Sequence, residues 1–194
     1  MKRLISVLLV GFGVCLNAYA FFGTDSDPGR YAATTYTMPA AGTFEVAFSP
    51  NERSLQLVLK VIRSAKSEID VMAYSFTSAP VVDALLAAVH RGVQVNMVVD
   101  WKENRSVYAQ RALSALVNAG GHVKTIDVYP IAHDKVIISD RQTTETGSFN
   151  YSKQAAEANS ENVLVVWNNS QLAQVYFAHF MRNWRQGRAY PTAY

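Results

Sequence analysis

Residues His133 to Asn150 read HDKVIISDRQTTETGSFN: an H-x-K, four residues, an aspartate, six residues, then G-S-x-N. Lys135 to Ile138 has the apolar character of a buried strand. Side chains alternate faces along a strand, so His133 and Lys135 point one way while Val136 and Ile138 point the other, into a core. Asp140 shares parity with Val136 and Ile138. It is therefore expected to support the site, by orienting a loop or pairing with a basic residue, rather than to stand beside His133. An imidazole that can act as a nucleophile, a lysine, and the Ser148/Asn150 pair supply hydrogen-bond donors suited to phosphate oxygens. Together they read as a phosphodiester-cleaving centre.

Each part has a plainer reading on its own. An isolated H-x-K on a strand is more often a surface pair, and Gly147-Ser148-Phe149-Asn150 before a helix is often an ordinary turn and cap. If Ser148 and Asn150 act on phosphate, they do so near a helix N-terminus, with Gly147 allowing close backbone approach. The chain contains its own control. His122-Val123-Lys124 is a second H-x-K, but Tyr129 stands where the aspartate would be and no G-S-x-N follows. It reads as surface decoration. His90, before Arg91-Gly92, reads as a helix-end residue favourable to the dipole, and His179 as structural. Glu161 is a candidate to hold the second ring nitrogen of a nucleophilic histidine. Spacing alone equally allows a solvated charge within Asn159-Ser160-Glu161-Asn162.

Working outward, strand and helix patterns alternate. Strands are expected at Thr43–Phe48, Ile69–Tyr74, Val93–Val99, His122–Ile126, Lys135–Ile138 and Glu161–Trp167. Helices are expected at Glu52–Ala65, Ser78–His90, Val107–Asn118, Tyr151–Ala156 and Gln171–Trp184, the last with an aromatic face of Tyr176, Phe177, Phe180 and Trp184. This alternation implies a single α/β domain with a mixed central sheet flanked by helices on both faces. No boundary is evident inside 43–188.

The N-terminus has the layout of an export signal: basic Lys2-Arg3, the apolar run Leu4–Val14, and an A-x-A site at Ala18-Tyr19-Ala20. The apolar run falls short of the roughly 20 residues of a transmembrane helix. Residues 1–20 are thus expected to be a cleaved signal peptide, 21–42 a flexible Gly/Ser/Thr/Pro-rich leader, and 43–190 the working domain. A periplasmic or secreted location follows, with no stable membrane association after cleavage. Cys15, the single cysteine, leaves with the signal, so no disulfide or cysteine metal site is expected. Removing twenty of 194 residues leaves 174, enough for one domain with a real core. Two of 18 basic residues go with them, leaving 16 against 15 acidic ones. A nucleic-acid surface must then be a local patch, not a global field.

The 133–150 run resembles the HKD signature of the phospholipase D superfamily. The likeness extends to Ala73-Tyr74-Ser75-Phe76-Thr77, Arg91-Gly92-Val93, Asn159-Ser160-Glu161-Asn162 and Trp184-Arg185-Gln186-Gly187-Arg188. Over roughly 43–190 the chain is similar to the small single-motif bacterial endonucleases of that superfamily. The resemblance implies that His133 attacks phosphorus to form a phosphohistidine. It also implies that Lys135, Ser148 and Asn150 bind the non-bridging oxygens and that Glu161 orients the histidine. Larger members carry two motifs; this chain carries one. A reaction needing one histidine as nucleophile and one as acid then implies a homodimer with a shared site.

No paired-carboxylate cluster of the kind that holds catalytic metals stands out. Lys135 and the polar donors are expected to stabilise the transition state instead, with no metal and no cofactor. The expected function is an exported, sequence-nonspecific endonuclease acting on DNA, with RNA as a second candidate substrate. The alternatives are a small phospholipase D, or a non-catalytic nucleic-acid-binding or secretion-accessory protein. A lipid enzyme should show an apolar landing face. For the 176–184 stripe, core packing is the favoured use.

Overall fold

Residues 35–51 and 53–191 are described by a computed structural model. The expected signal peptide with Cys15, the leader up to residue 34, and residues 192–194 lie outside the described residues. The chain runs β1 (Thr43–Ser49), α1 (Ser54–Ser64), β2 (Glu68–Ala73), α2 (Ala79–His90), β3 (Gln94–Asp100), a 3-10 turn at Glu103–Arg105, and α3 (Val107–Asn118). It continues with β4 (His122–Ile126), β5 (Lys135–Ser139), β6 (Thr143–Gly147), α4 (Lys153–Glu157), β7 (Glu161–Trp167), α5 (Ser170–Gln186) and β8 (Arg188–Ala189).

All the strands join one sheet in the order β1-β7-β6-β5-β2-β3-β4-β8. β2, β3 and β4 are parallel, linked through α2 and α3, and the remaining pairings are antiparallel. The expected mixed α/β sheet in a single domain is therefore the observed one. Alternation splits the strand residues between two cores. Ile69, Val71, Val95, Met97 and Ile137 pack on one face with Val58, Ile62, Leu85 and Leu113 of α1–α3. Met72, Val98, Val136 and Ile138 pack on the other with Ala173 and Phe180 of α5. Tyr176, Phe177 and Trp184 are only half-buried there.

Three local readings change. β6 was not expected, because Thr143-Thr144-Glu145-Thr146 has no apolar alternation. It is a strand because β5 and β7 flank it, placing Glu145 between Ile137 and Val165. The two-residue β8 is likewise too short to show a period. The helix expected from Tyr151 starts at Lys153 and has five residues, with the Ser152 hydroxyl accepting from Ala155 N at 3.2 Å. So short a helix, starting three residues past Asn150, adds little dipole to a phosphate site.

Candidate active site

The C-terminal end of β2 and the approach to β5 bring the first motif residues together around Tyr74. The Tyr74 backbone N–H donates to Asp134 O at 2.8 Å. Its ring meets the exposed His133 ring edge-on, with centroids 4.6 Å apart, and lies 5.1 Å from Lys135 Nζ. Lys135 is only 5 % exposed and donates to His133 O at 2.9 Å. Burial lowers its pKa, while the charges of Asp134, Glu161 and Glu103 pull it back up. The ammonium is therefore held in a fixed, partly dehydrated position, where a charge acts more strongly on a bound anion than it would in water.

Buried polar groups hold this end of the sheet. Asn104 accepts from Phe76 N at 2.9 Å and donates to Tyr74 O at 2.6 Å and Asp100 O at 2.8 Å. Asp100 accepts from Ala132 N at 2.9 Å, just before His133. On the α5 face, Asp134 accepts from Asn183 at 3.3 Å and pairs with His179 Nε2 at 3.1 Å. Burial works against the Asp134 charge, but His179, Lys135 and Asn183 outweigh it and hold its carboxyl below the usual range. His179 is thus structural in a specific way, as a positioning residue behind the residue between His133 and Lys135.

The second half of the motif is built on β6 and β7. The Ser148 hydroxyl donates to Glu161 Oε2 at 2.5 Å and accepts from Asn162 N at 3.0 Å. Ser148 N donates to Asn162 O at 3.1 Å. A Cβ at Gly147 would lie 2.1 Å from Asn162 O, so this close approach requires glycine. Asn150 has its Oδ1 buried with no hydrogen-bond partner among the described residues.

Glu161 differs from its expected contact. Its second oxygen accepts from Asn159 at 2.9 Å, and no hydrogen bond joins it to His133 within the chain among the described residues. Its charge is nevertheless felt at Lys135. Asp140 stands apart, roughly 16 Å from Lys135 along β5. Its carboxylate accepts from Lys66 N at 2.9 Å, Ser67 N at 2.8 Å and Glu68 N at 3.0 Å. Burial opposes its charge, and these backbone donors outweigh that cost and lower its pKa. Asp140 ties the β5–β6 turn to the start of β2, at the opposite end of β5 from His133 and Lys135.

The other histidines sort themselves. His90 is an exposed helix-end residue. His122 bonds Asn96 Oδ1 at 3.1 Å, and Lys124 donates to Trp184 O at 2.8 Å. This H-x-K pins α5 to the sheet, so it is more than the surface decoration expected. Tyr74, Asp100 and Asn104 were not marked as site residues. For Tyr74 and Asp100 the available signal is a polar or aromatic residue at the end of an otherwise apolar strand; Asn104 lies in the 3-10 turn beyond β3 and carries no such signal. No cluster of three His, Cys, Asp or Glu placed to hold a metal is present among the described residues.

A family model described as "Cardiolipin synthase, PLD-like domain" matches residues 58–184, more than half of the chain. Nuc from Salmonella typhimurium, a phospholipase D family member, is 43% identical. Its structure superposes with a TM-score of 0.77, over 78% of this chain and 100% of Nuc. A phospholipase D of Rickettsia bellii is 27% identical over 190 residues, 93% of this chain and 91% of that protein. The mitochondrial cardiolipin hydrolase of Mus musculus is 28% identical over 136 residues, 70% of this chain and 60% of that protein.

Proposed function

This chain belongs to the phospholipase D superfamily of phosphodiesterases, and on that premise we propose that it is an exported, sequence-nonspecific endonuclease cleaving DNA at a site shared by two copies, with RNA the second substrate to test. The observation that carries this reading is the grouping of His133 and Lys135 around Tyr74, once per chain. A His133 ring nitrogen attacks phosphorus, and the P–O bond to the leaving strand breaks. The second copy's histidine gives that oxygen its proton. Water then attacks the phosphohistidine, losing a proton to the same group, and the P–N bond to His133 breaks, which restores both histidines. Lys135 neutralises charge gathering on the non-bridging oxygens, with Asn150 and Ser148 at the same anion. Glu161 acts through Ser148 within its own chain. Asp140 is left to the scaffold.

A second reading, phospholipid hydrolysis, is favoured by one observation. Trp101, Tyr108, Val128 and Ile131 are exposed large apolar side chains, and they lie in the segments that follow β3 and β4 toward the His133 loop. Such a rim suits a lipid surface; it equally suits stacking on bases or contact with a second copy. The relatives' names, phospholipase D and cardiolipin hydrolase, point the same way.

Purified protein incubated with plasmid DNA, RNA and phosphatidylcholine vesicles, each with and without EDTA, separates these readings. Cleavage of nucleic acid that persists in excess EDTA is expected. Hydrolysis of lipid alone, or activity restored only by added divalent metal, would overturn the corresponding part of the proposal.

A further inference from the structure

One cleft that the phosphodiesterase reading does not use is lined by charged residues of the sheet and aromatic residues of α5. It has a volume of about 460 Å³ and lies on the α5 face of the sheet. Its floor is formed by Glu68 and Asp70 of β2 and Asn96 of β3. His122 lies beside them, and Phe177 and Trp184 of α5 form an aromatic wall. Asp70 is about 13 Å along β2 from Tyr74, so the cleft is well separated from the His133 loop.

The charges in this cleft do not balance. Arg141 is committed to Glu68, with Nε and Nη2 at 2.7 and 2.9 Å from its two oxygens. Its guanidinium also stacks on Phe177 at 3.2 Å. That leaves Asp70, which is 1 % exposed. One of its oxygens accepts from Asn96 Nδ2 at 2.9 Å. Asn96 is itself fixed, because its Oδ1 accepts from Gln94 at 3.2 Å and faces His122 Nδ1 at 3.1 Å. Asp70 is thus rigidly oriented, while its other oxygen has no hydrogen-bond partner among the described residues. Arg141 Nε forms an ion pair with that oxygen at 3.6 Å, too long for a hydrogen bond, and shares its charge between Asp70 and Glu68. Burial raises the Asp70 pKa to about 6, which leaves the group mostly ionised at neutral pH. A buried carboxylate oxygen without a donor is costly, and an external donor that also carries positive charge would remove that cost.

We propose that this cleft is a binding site for a small organic cation, an alkylammonium or alkylguanidinium, whose head group donates to Asp70 Oδ2 and whose stem lies along Phe177 and Trp184. Phe177 and Trp184 already carry Arg141 and Lys124 on their rings, so the wall offers the ligand an apolar surface for its methylenes. Recognition depends on the positive charge, because a neutral donor would leave the carboxylate uncompensated.

The test uses the full chain, with putrescine and agmatine as free amines and Nα-acetyl-arginine methylamide as a basic side chain. 1,4-Butanediol serves as the neutral counterpart. Calorimetric titration is expected to show binding of a cation in the millimolar range or tighter and none of the diol. The side-chain mimic binding at least as well as the free amines would assign the site to a protein's basic residue; the reverse order would assign it to a free amine. Asp70→Asn should weaken binding about ten- to a hundredfold and should fold, since a neutral amide replaces a buried charge. His133→Ala should bind as wild type does, which separates this site from the catalytic proposal. In crystals soaked with agmatine, density for the head group is expected at Asp70, independently of any variant. Failure of all three cations to bind, equal binding by the diol, or unchanged binding by Asp70→Asn would each overturn the proposal.

Discussion

At the scale of single residues, His133 and His122 make a matched pair. His133 is exposed and rests on the edge of Tyr74, so its removal opens no core cavity. His133→Ala is expected to keep the wild-type melting temperature and lose at least about a thousandfold in turnover, whereas His122→Ala keeps its turnover. Comparable losses from both would mean that the two H-x-K pairs had been told apart without warrant. Glu145 offers a second residue-level test. It is fully buried, accepts from the Tyr151 hydroxyl at 2.7 Å, and sits under the segment that carries Asn150. Burial raises its pKa from 4.5 to about 8, against the pull of Tyr151. The folded state therefore holds a proton that the unfolded state has released between those values. Stability from this group is complete below about 4.5 and declines as pH rises toward 8, with a slope approaching about 1.4 kcal/mol per pH unit. Denaturant titrations of wild type and Glu145→Gln across that window check it: the variant, which keeps an acceptor for Tyr151, should lose this slope.

At the scale of elements, the two ends of β5 have different work. The end at Lys135 faces the candidate chemistry; the end at Ser139 leads into Asp140, which accepts backbone N–H groups from Lys66 to Glu68. Asp140 also takes a positive φ of 52°, which aspartate tolerates better than most residues. Asp140→Ala is thus expected to cost about 2 kcal/mol of stability while the kcat of the folded enzyme stays near wild type. A large loss of kcat with unchanged stability would return Asp140 to the active site. The neighbouring strand shows why the element pattern was only partly legible. Polar β6 is held as a strand by β5 and β7 on either side, and pairing of that kind leaves no trace in a local hydrophobic period.

At the scale of the whole molecule, one motif per chain and a proposed reaction that uses two histidines make assembly the decisive test. Mixed dimers of wild-type and His133→Ala chains, purified by differential tags, should be nearly inactive if the site is shared. Independent sites would leave about half the activity. Half-activity, or full activity in a proven monomer, would sink the shared-site proposal. The place of Glu161 bears on the same question. Within one chain its carboxylate is bonded to Ser148 and Asn159, so any direct hold on a histidine has to come through rearrangement or from the second copy of the proposed dimer.

The sequence by itself determined the α/β class, the limits of most helices and strands, and the separation of His133-Asp134-Lys135 from the incomplete His122-Val123-Lys124. These rest on local periodicity and fixed spacing, both written along the chain. Strand parity suggested a supporting place for Asp140, but its distance from His133 is set by the length of β5, which ends at Ser139 before Asp140 turns at a positive φ. Only the tertiary structure decided that Tyr74 lies against both His133 and Lys135, that Asn104 and Asp100 hold that corner, and that Glu161 meets Ser148 before it meets any histidine. It alone exposed the Asp70 oxygen beneath α5 that accepts no hydrogen bond among the described residues. Each of these joins residues far apart in sequence, brought together by sheet order and by helices crossing the sheet, and a hydrogen bond of that range is fixed by packing rather than by composition.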